Sequence, residues 1–224
     1  MTSRDGSRCY VKTDFDFGWK RWKSVPELAK KVLEHQKGDV LDIGCATCQL
    51  STFLRDNGWK GRYTGVDVKR YDGYEYPEGV ELLVGDALEL ELPQADTVVL
   101  YDILEHTRDP VGLLSKALRA SRSNVLVSVP LRNEEMWALG VVEPHQLDRT
   151  HMHCGFTEDE FRDIVSASGG LVARSEYLGR VSATIGVNLW KGWLAKKMAY
   201  AMDRVFSSRE YHCGIWCEVV RSSR

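Results

Sequence analysis

Val40-Leu41-Asp42-Ile43-Gly44-Cys45-Ala46-Thr47-Cys48 is the stretch on which the fold turns. A short apolar run ends in an acid, and Gly44 then bends the chain sharply into the helix Gln49–Asn57, which Gly58 stops. A buried strand that turns through glycine into a helix is half of a βαβ unit. Glycine at the bend permits a backbone conformation that other residues resist and lets the main chain approach a ligand closely. In open α/β sheets ligands bind beyond the carboxyl ends of the strands, where the strand order reverses, so the Asp42–Cys48 turn marks a binding edge.

Outward from this unit the same alternation continues. Strands are expected at Tyr63–Val68, Val80–Val84, Thr97–Tyr101 and Asn124–Val129. Upstream, Ser24 and Glu27 form a capping box with Pro26 in the first turn, opening a helix with Val25, Leu28, Ala29, Val32 and Leu33 on one face. Asp109-Pro110 caps a helix through Ala120, and Thr157 with Glu160 caps another that Gly169-Gly170 ends. Leu171–Leu178 and His212–Val220 read as two final strands without a short helical crossover, able to pair antiparallel. The fold class is therefore α/β: a Rossmann-like, seven-stranded, mostly parallel sheet with helices on both faces and the last strand antiparallel.

The chain of 224 residues fits a single domain spanning 1–224. Three segments stand apart within it. Residues 1–23 form an irregular arm with an aromatic and basic cluster around Trp19 and Trp22, either a lid over the site or a base-stacking element. Residues 132–155 make a long loop, and long loops in small domains are usually functional. Residues 187–206 carry an apolar stripe (Leu189, Trp190, Trp193, Leu194, Met198) beside Lys191, Lys196, Lys197 and Arg204, an amphipathic helix. Its stripe is ordinary core or, on the sharper reading, a lid or a peripheral membrane contact.

A formal net charge of -2 gives no global basic field, so a nucleic-acid partner is not expected. The polar N-terminus lacks a signal-like apolar run, and no uncharged run is long enough to span a bilayer. With six cysteines read as reduced thiols, the expected compartment is the cytoplasm.

Two further acids end successive strands: Asp67 in Gly65-Val66-Asp67-Val68 and Asp86 in Gly85-Asp86-Ala87. A carboxylate at the second strand end can take both hydroxyls of a ribose, and one at the third can accept from an adenine amine. The series resembles the class I methyltransferases, which bind S-adenosylmethionine. The likeness is strongest from Lys37 to Pro130. Leu100-Tyr101-Asp102-Ile103-Leu104-Glu105-His106-Thr107-Arg108-Asp109-Pro110 is similar to the fourth-strand motif of the small-molecule and lipid-acting branch, which includes ubiquinone-biosynthesis O-methyltransferases. Asp148-Arg149-Thr150-His151 with Gly155-Phe156-Thr157 looks like the same branch's lead-in to its penultimate helix.

The resemblance implies S-adenosylmethionine as cofactor. It implies that Asp42 and Gly44, with Cys45 and Ala46 beyond them, hold the methionine end. Asp67 would take the ribose, Val68 would pack on adenine, Asp86 with Ala87 would read the adenine edge, and Tyr101 would lie beside the methionine amino group and the acceptor. The family turn commonly repeats glycine where this chain has Ala46 and Cys48. Ala46 is expected to keep a negative φ, and Cys48 to open the helix, where no glycine is needed. Dinucleotide binding is the rival, but its fingerprint of three glycines around a pyrophosphate is absent.

Methyl transfer from a sulfonium needs alignment, exclusion of water and, for a hydroxyl acceptor, a base. His106, His145 and His151 are the catalytic candidates, since imidazole suits proton abstraction near neutrality; for each, a structural role is the competing reading. Asp102-x-x-Glu105-His106 resembles the metal-binding motif of small-RNA 3′-end methyltransferases, and His151-x-His153-Cys154 could supply more ligands, but no metal is expected. The expected function is methyl transfer to a small-molecule or lipid-like acceptor at oxygen. The alternatives are a non-catalytic binding subunit, favoured by the altered glycines, and an RNA or protein methyltransferase.

Overall fold

The computed structural model describes residues 24–138, 150–181 and 211–222. The expected arm at 1–23, the helix at 187–206 and the 139–149 part of the long loop lie outside them. Seven strands form one sheet in the order β3-β2-β1-β4-β5-β7-β6. They are β1 (Val40–Ile43), β2 (Tyr63–Asp67), β3 (Val80–Val84), β4 (Ala95–Tyr101), β5 (Ser121–Pro130), β6 (Gly170–Val181) and β7 (Tyr211–Arg221). The helices are α1 (Ser24–His35), α2 (Gln49–Asp56), α3 (Pro110–Ala120), α4 (Glu134–Ala138) and α5 (Glu158–Ala167), with a 3₁₀ turn at Leu104–His106. This is the Rossmann-like, mostly parallel sheet with an antiparallel end that the strand pattern predicts. None of the described helices is long and apolar enough to cross a membrane.

The chain divides into two compact units, one of Met1–Val99 with Ala120–Asn124, the other of Leu100–Arg119 with Val125–Arg224. In the first, β1 pairs parallel with both β2 and β4, so the strand order reverses between β1 and β4. Every residue of β1 and of β2 is buried. A strand covered on both faces must be apolar nearly throughout, which is why Val40-Leu41-Asp42-Ile43 reads as a run rather than an alternation. Leu28 and Val32 of α1 and Leu54 of α2 join this core. At its lower edge Thr97 donates to Asn124 at 2.7 Å, Asn124 donates to the carbonyl of His35 at 3.0 Å, and Arg122 pairs with Asp96 at 2.7 Å.

In the second unit β7 is antiparallel to both β5 and β6, and β6 lies at the edge of the sheet. Val125, Val127, Ile215, Trp216 and Val219 are buried, with Phe161 and Val165 of α5. The capping box of α5 forms as its sequence requires: the Thr157 side chain accepts from the Glu160 N–H, and Glu160 accepts from the Thr157 N–H. Asp109 accepts from the N–H of Gly112 at 2.8 Å, capping α3. The Arg132–Gly155 segment departs from the simple loop expected, because α4 occupies Glu134–Ala138. Its ends are tied together, with the Arg132 N–H donating to the Phe156 carbonyl at 2.8 Å and the Phe156 N–H to Pro130 at 3.0 Å.

Candidate functional site

In the first unit the turn after β1 is held against β2 by its own backbone. The N–H groups of Gly44 and Cys45 donate to the Val66 carbonyl at 2.8 and 3.1 Å. Asp67 then reaches back: its carboxylate accepts from the Ala46 N–H at 2.9 Å and from the Lys69 N–H at 3.3 Å. The expectation for the two residues in place of glycine is corrected here. Ala46 has φ 48° and Cys48 φ 58°, both left-handed, while Gly44 has φ 81°. Cys48 precedes α2 in that conformation with no side-chain cap, so it is a turn residue and not the first residue of the helix. The turn keeps a glycine-like backbone with side chains on it, at a cost of about 1–2 kcal/mol for each such residue.

Space explains the rest of this turn. The thiols of Cys45 and Cys48 lie 3.4 Å apart, buried against β2. A Cβ on Gly65 would sit 2.6 Å from one sulfur and 2.7 Å from the other, so only glycine fits opposite them. The bond to Cys48, together with burial, holds the Cys45 thiol far above its usual range, which keeps it protonated and inert.

The acids at the strand ends differ in environment. Asp42 is buried and accepts a hydrogen bond from the Tyr63 hydroxyl. Burial pushes its pKa up to about 7, the Tyr63 bond opposes that rise, and the neighbouring charge of Asp67 adds to it. Asp67 is also raised by burial, against the pull of its backbone N–H donors. A carboxylate has about four lone-pair directions and backbone donors take only some of them, so Asp67 can brace the turn and still accept from a ligand. Asp86 is exposed and accepts from the Leu88 N–H at 2.9 Å; Ala87 beside it is buried. The Gly85 N–H donates to the Asp67 carbonyl at 2.8 Å, joining the two strand ends. Val68 is 70% exposed, an apolar surface directly after the Asp67 carboxylate. Acids at strand ends, an exposed apolar side chain and a turn without a phosphate cradle suit an uncharged nucleoside.

In the second unit, β4 runs out at Tyr101, whose hydroxyl accepts from the Trp216 indole N–H at 3.0 Å. Asp102 is left-handed at φ 49°, fixed by its N–H to the Ser128 carbonyl at 3.0 Å and by the Ser128 hydroxyl donating to its carboxylate at 2.9 Å. The 3₁₀ turn that follows buries Leu104 and Glu105, the latter to 1% exposure. The Glu105 carbonyl accepts from the N–H groups of Met152 and His153 at 2.8 and 3.1 Å, clamping the end of the long loop to the turn. His106 and His151 meet edge to face, ring centroids 4.5 Å apart. Nδ1 of His106 lies 3.2 Å from the Thr150 carbonyl, and Nε2 of His153 lies 3.2 Å from that of Thr107. A carbonyl only accepts, so each ring donates there, and in a neutral His106 the lone pair sits on Nε2.

The sequence matches a family model described as a methyltransferase domain over residues 20–172. The chain belongs to the methyltransferase domain family. It is a class I, S-adenosylmethionine-dependent methyltransferase. Among solved structures it is similar to magnesium protoporphyrin IX methyltransferase from Synechocystis PCC 6803 with bound SAH (TM-score 0.56, 18% identity, 97% of this chain and 90% of that chain). It is also similar to 1,6-didemethyltoxoflavin-N1-methyltransferase from Burkholderia thailandensis with bound 1,6-didemethyltoxoflavin and S-adenosylhomocysteine (TM-score 0.62, 14%, 94% and 84%). A third likeness is to a SAM-dependent methyltransferase from Archaeoglobus fulgidus (TM-score 0.61, 18%, 92% and 98%). No curated protein sequence matches significantly.

Within this methyltransferase the structure brings Asp42, Gly44, Cys45, Ala46 and Asp67 together in the first unit, through the Val66 carbonyl and the Asp67 carboxylate. It brings His106 and His151 together in the second. His145 lies outside the described residues. Sequence reasoning missed Tyr63, because its contact with Asp42 joins neighbouring strands. It named Glu105 only as a donor beside His106, and no local pattern announces its burial to 1% exposure.

Proposed function

We propose that this methyltransferase acts on a hydroxyl oxygen of a small-molecule or lipid-like acceptor. The observation behind this reading is the imidazole pair. His106 and His151 are packed edge to face on a turn clamped by main-chain hydrogen bonds, with the His106 tautomer set by Thr150. A positioned imidazole is of most use where the acceptor must lose a proton, which favours a hydroxyl over a thiolate or a free amine. When bound, the sulfonium of S-adenosylmethionine supplies the electrophilic methyl group.

In this reading the Gly44–Ala46 turn and Asp42 bind the methionine end, Asp67 orients the ribose, Val68 covers the adenine face, and Asp86 with Ala87 meets its edge. Tyr101 lines the acceptor side. His106, assisted by His151, takes the acceptor proton at Nε2; His145 is the third imidazole of the same reading. The left-handed Ala46 and Cys48 support an active protein over a non-catalytic subunit, since strained backbone of this kind clusters at working sites. The small molecules named for two of the similar structures agree with the acceptor class. The experiment is a radiolabelled-methyl assay against a panel of phenols, aliphatic alcohols, thiols, amines and RNA. Label on hydroxyl compounds supports the reading; label only on nitrogen, sulfur or RNA refutes it.

A further inference from the structure

We propose that Tyr63 is a positioning residue for cofactor binding, its hydroxyl fixing the Asp42 carboxylate for the methionine ammonium of S-adenosylmethionine. The inference rests on the reading above in which Asp42 meets the methionine end; the contact itself rests on geometry. Tyr63 lies on β2 beside Val40 of β1, and its hydroxyl donates to the Asp42 carboxylate. Both side chains belong to the first unit, under the Gly44–Cys48 turn.

The placement is more than core packing. Tyr63 is fully buried and meets Trp59 edge to face, ring centroids 6.4 Å apart. Phenylalanine would fill that space as well, so the hydroxyl answers to Asp42. The Trp59 N–H goes to the Gly38 carbonyl at 2.9 Å and leaves the phenol to serve the acid. Asp42 and Asp67 are told apart by their donors. Asp67 accepts from main-chain N–H groups, those of Ala46 and Lys69. Asp42 accepts from a side chain, which one substitution removes while the backbone stays. One such bond leaves further lone-pair directions for a cationic donor.

The titratable groups that face this pair are Asp67 on β2 and the Cys45 and Cys48 thiols of the turn. Burial pushes the Asp42 carboxyl up to about 7, the Tyr63 bond opposes the rise, and the charge of Asp67 adds to it. Burial and the Asp42 charge hold the Tyr63 phenol well above its usual range, so it remains a donor from pH 6 to pH 9. The Cys45 thiol, held up by its bond to Cys48 and by burial, stays neutral over the same range. An ammonium pairs with the ionised acid. Below pH 7 the free chain therefore holds a proton on Asp42 and must release it on binding. Without the phenol the proton is held to higher pH, so the loss of affinity falls on the acid side of the profile.

The test measures S-adenosylhomocysteine binding to the full chain by calorimetry from pH 6 to pH 9, in the wild type and in Tyr63→Phe. The wild type should bind about tenfold more weakly at pH 6 than at pH 8, following the ionised fraction of Asp42. A hydrogen bond to a charged group favours the ionised form by about tenfold or more. Tyr63→Phe should therefore bind about fivefold to tenfold more weakly than the wild type between pH 6 and pH 7, and within about twofold of it at pH 9. In an Asp42→Asn background, adding Tyr63→Phe should leave the pH profile as it is. The wild type should also release about half a proton per ligand bound at pH 7, read from binding heats in two buffers of different ionisation heat. That measurement carries the test if Tyr63→Phe does not fold. A variant that matches the wild type at pH 6, one that loses equally at pH 6 and pH 9, or a wild type that releases no proton overturns the proposal while its binding still speaks for the methyltransferase reading. A wild type that binds no S-adenosylhomocysteine at any of these pH values overturns the reading on which the proposal rests.

Discussion

Ala46→Gly should stabilise this methyltransferase, although it removes a methyl group from a half-buried position. Ala46 sits at φ 48°, where a Cβ crowds the following carbonyl and costs about 1–2 kcal/mol. Glycine relieves that cost but brings about 0.5–1 kcal/mol of extra chain entropy to the unfolded state. Losing one half-buried methyl forfeits a few tenths of a kcal/mol more, from about 0.8 kcal/mol for a full methylene. The net is a gain of about 0.5 kcal/mol, or about 1–2 °C in Tm for a domain of this size. The Ala46 N–H still donates to Asp67, so S-adenosylhomocysteine affinity should change little. Gly44→Ala, at φ 81°, is the mirror experiment: the left-handed cost of about 1–2 kcal/mol, less about 0.5–1 kcal/mol of chain entropy regained, leaves a destabilisation of about 0.5–1 kcal/mol. Paired urea denaturation curves with calorimetric binding on each variant make the comparison. A loss of more than about 1 kcal/mol in Ala46→Gly would refute the left-handed turn, because the stated balance cannot produce it.

Other perturbations give equally definite outcomes. Asp42 has a folded pKa near 7 against an ordinary value of 3.8, so between about pH 4 and 7 the folded state holds the proton and the unfolded state does not. This group's contribution to stability is therefore greatest below pH 4, falls as pH rises through that window and is flat above it; the shift corresponds to about 4 kcal/mol. Asp42→Asn should remove that part of the pH slope, and denaturation curves at pH 5 and pH 8 that keep the wild-type difference would count against it. Thr157→Ala removes the α5 cap and should cost about 1 kcal/mol in the same assay, with no change in turnover. His106→Ala should lower turnover on a hydroxyl acceptor by about a hundredfold or more at unchanged S-adenosylhomocysteine affinity. Full activity in that variant would remove His106 from the mechanism.

Most of the fold is legible because its signals are local. A buried parallel strand must be apolar throughout, so β1 and β2 stand out as runs, and the caps at Asp109 and Thr157 are short-range hydrogen bonds that the side chains themselves announce. The strand-end acids are legible for the same reason. What local pattern does not fix is backbone sign and tertiary company. Ala and Cys at 46 and 48 say nothing of φ, which is imposed by the anchoring of the turn to Val66 and Asp67. The raised Asp42 carboxyl depends on a tyrosine on the adjacent strand. β5 begins at Ser121, three residues before the expected start at Asn124, because backbone pairing and not side-chain polarity sets where a strand starts. Glu105 reads as a donor beside His106, but its burial shows only once the loop carrying His151 is clamped to its carbonyl.

The measurement that reaches the core of this account is the affinity of S-adenosylhomocysteine for the wild-type chain and for Asp67→Ala. The account predicts binding by the wild type and a loss of about 1–3 kcal/mol in the variant, the value of charge-assisted hydrogen bonds to a ribose. A wild-type chain that binds no nucleoside, or a variant that binds as tightly, would contradict it.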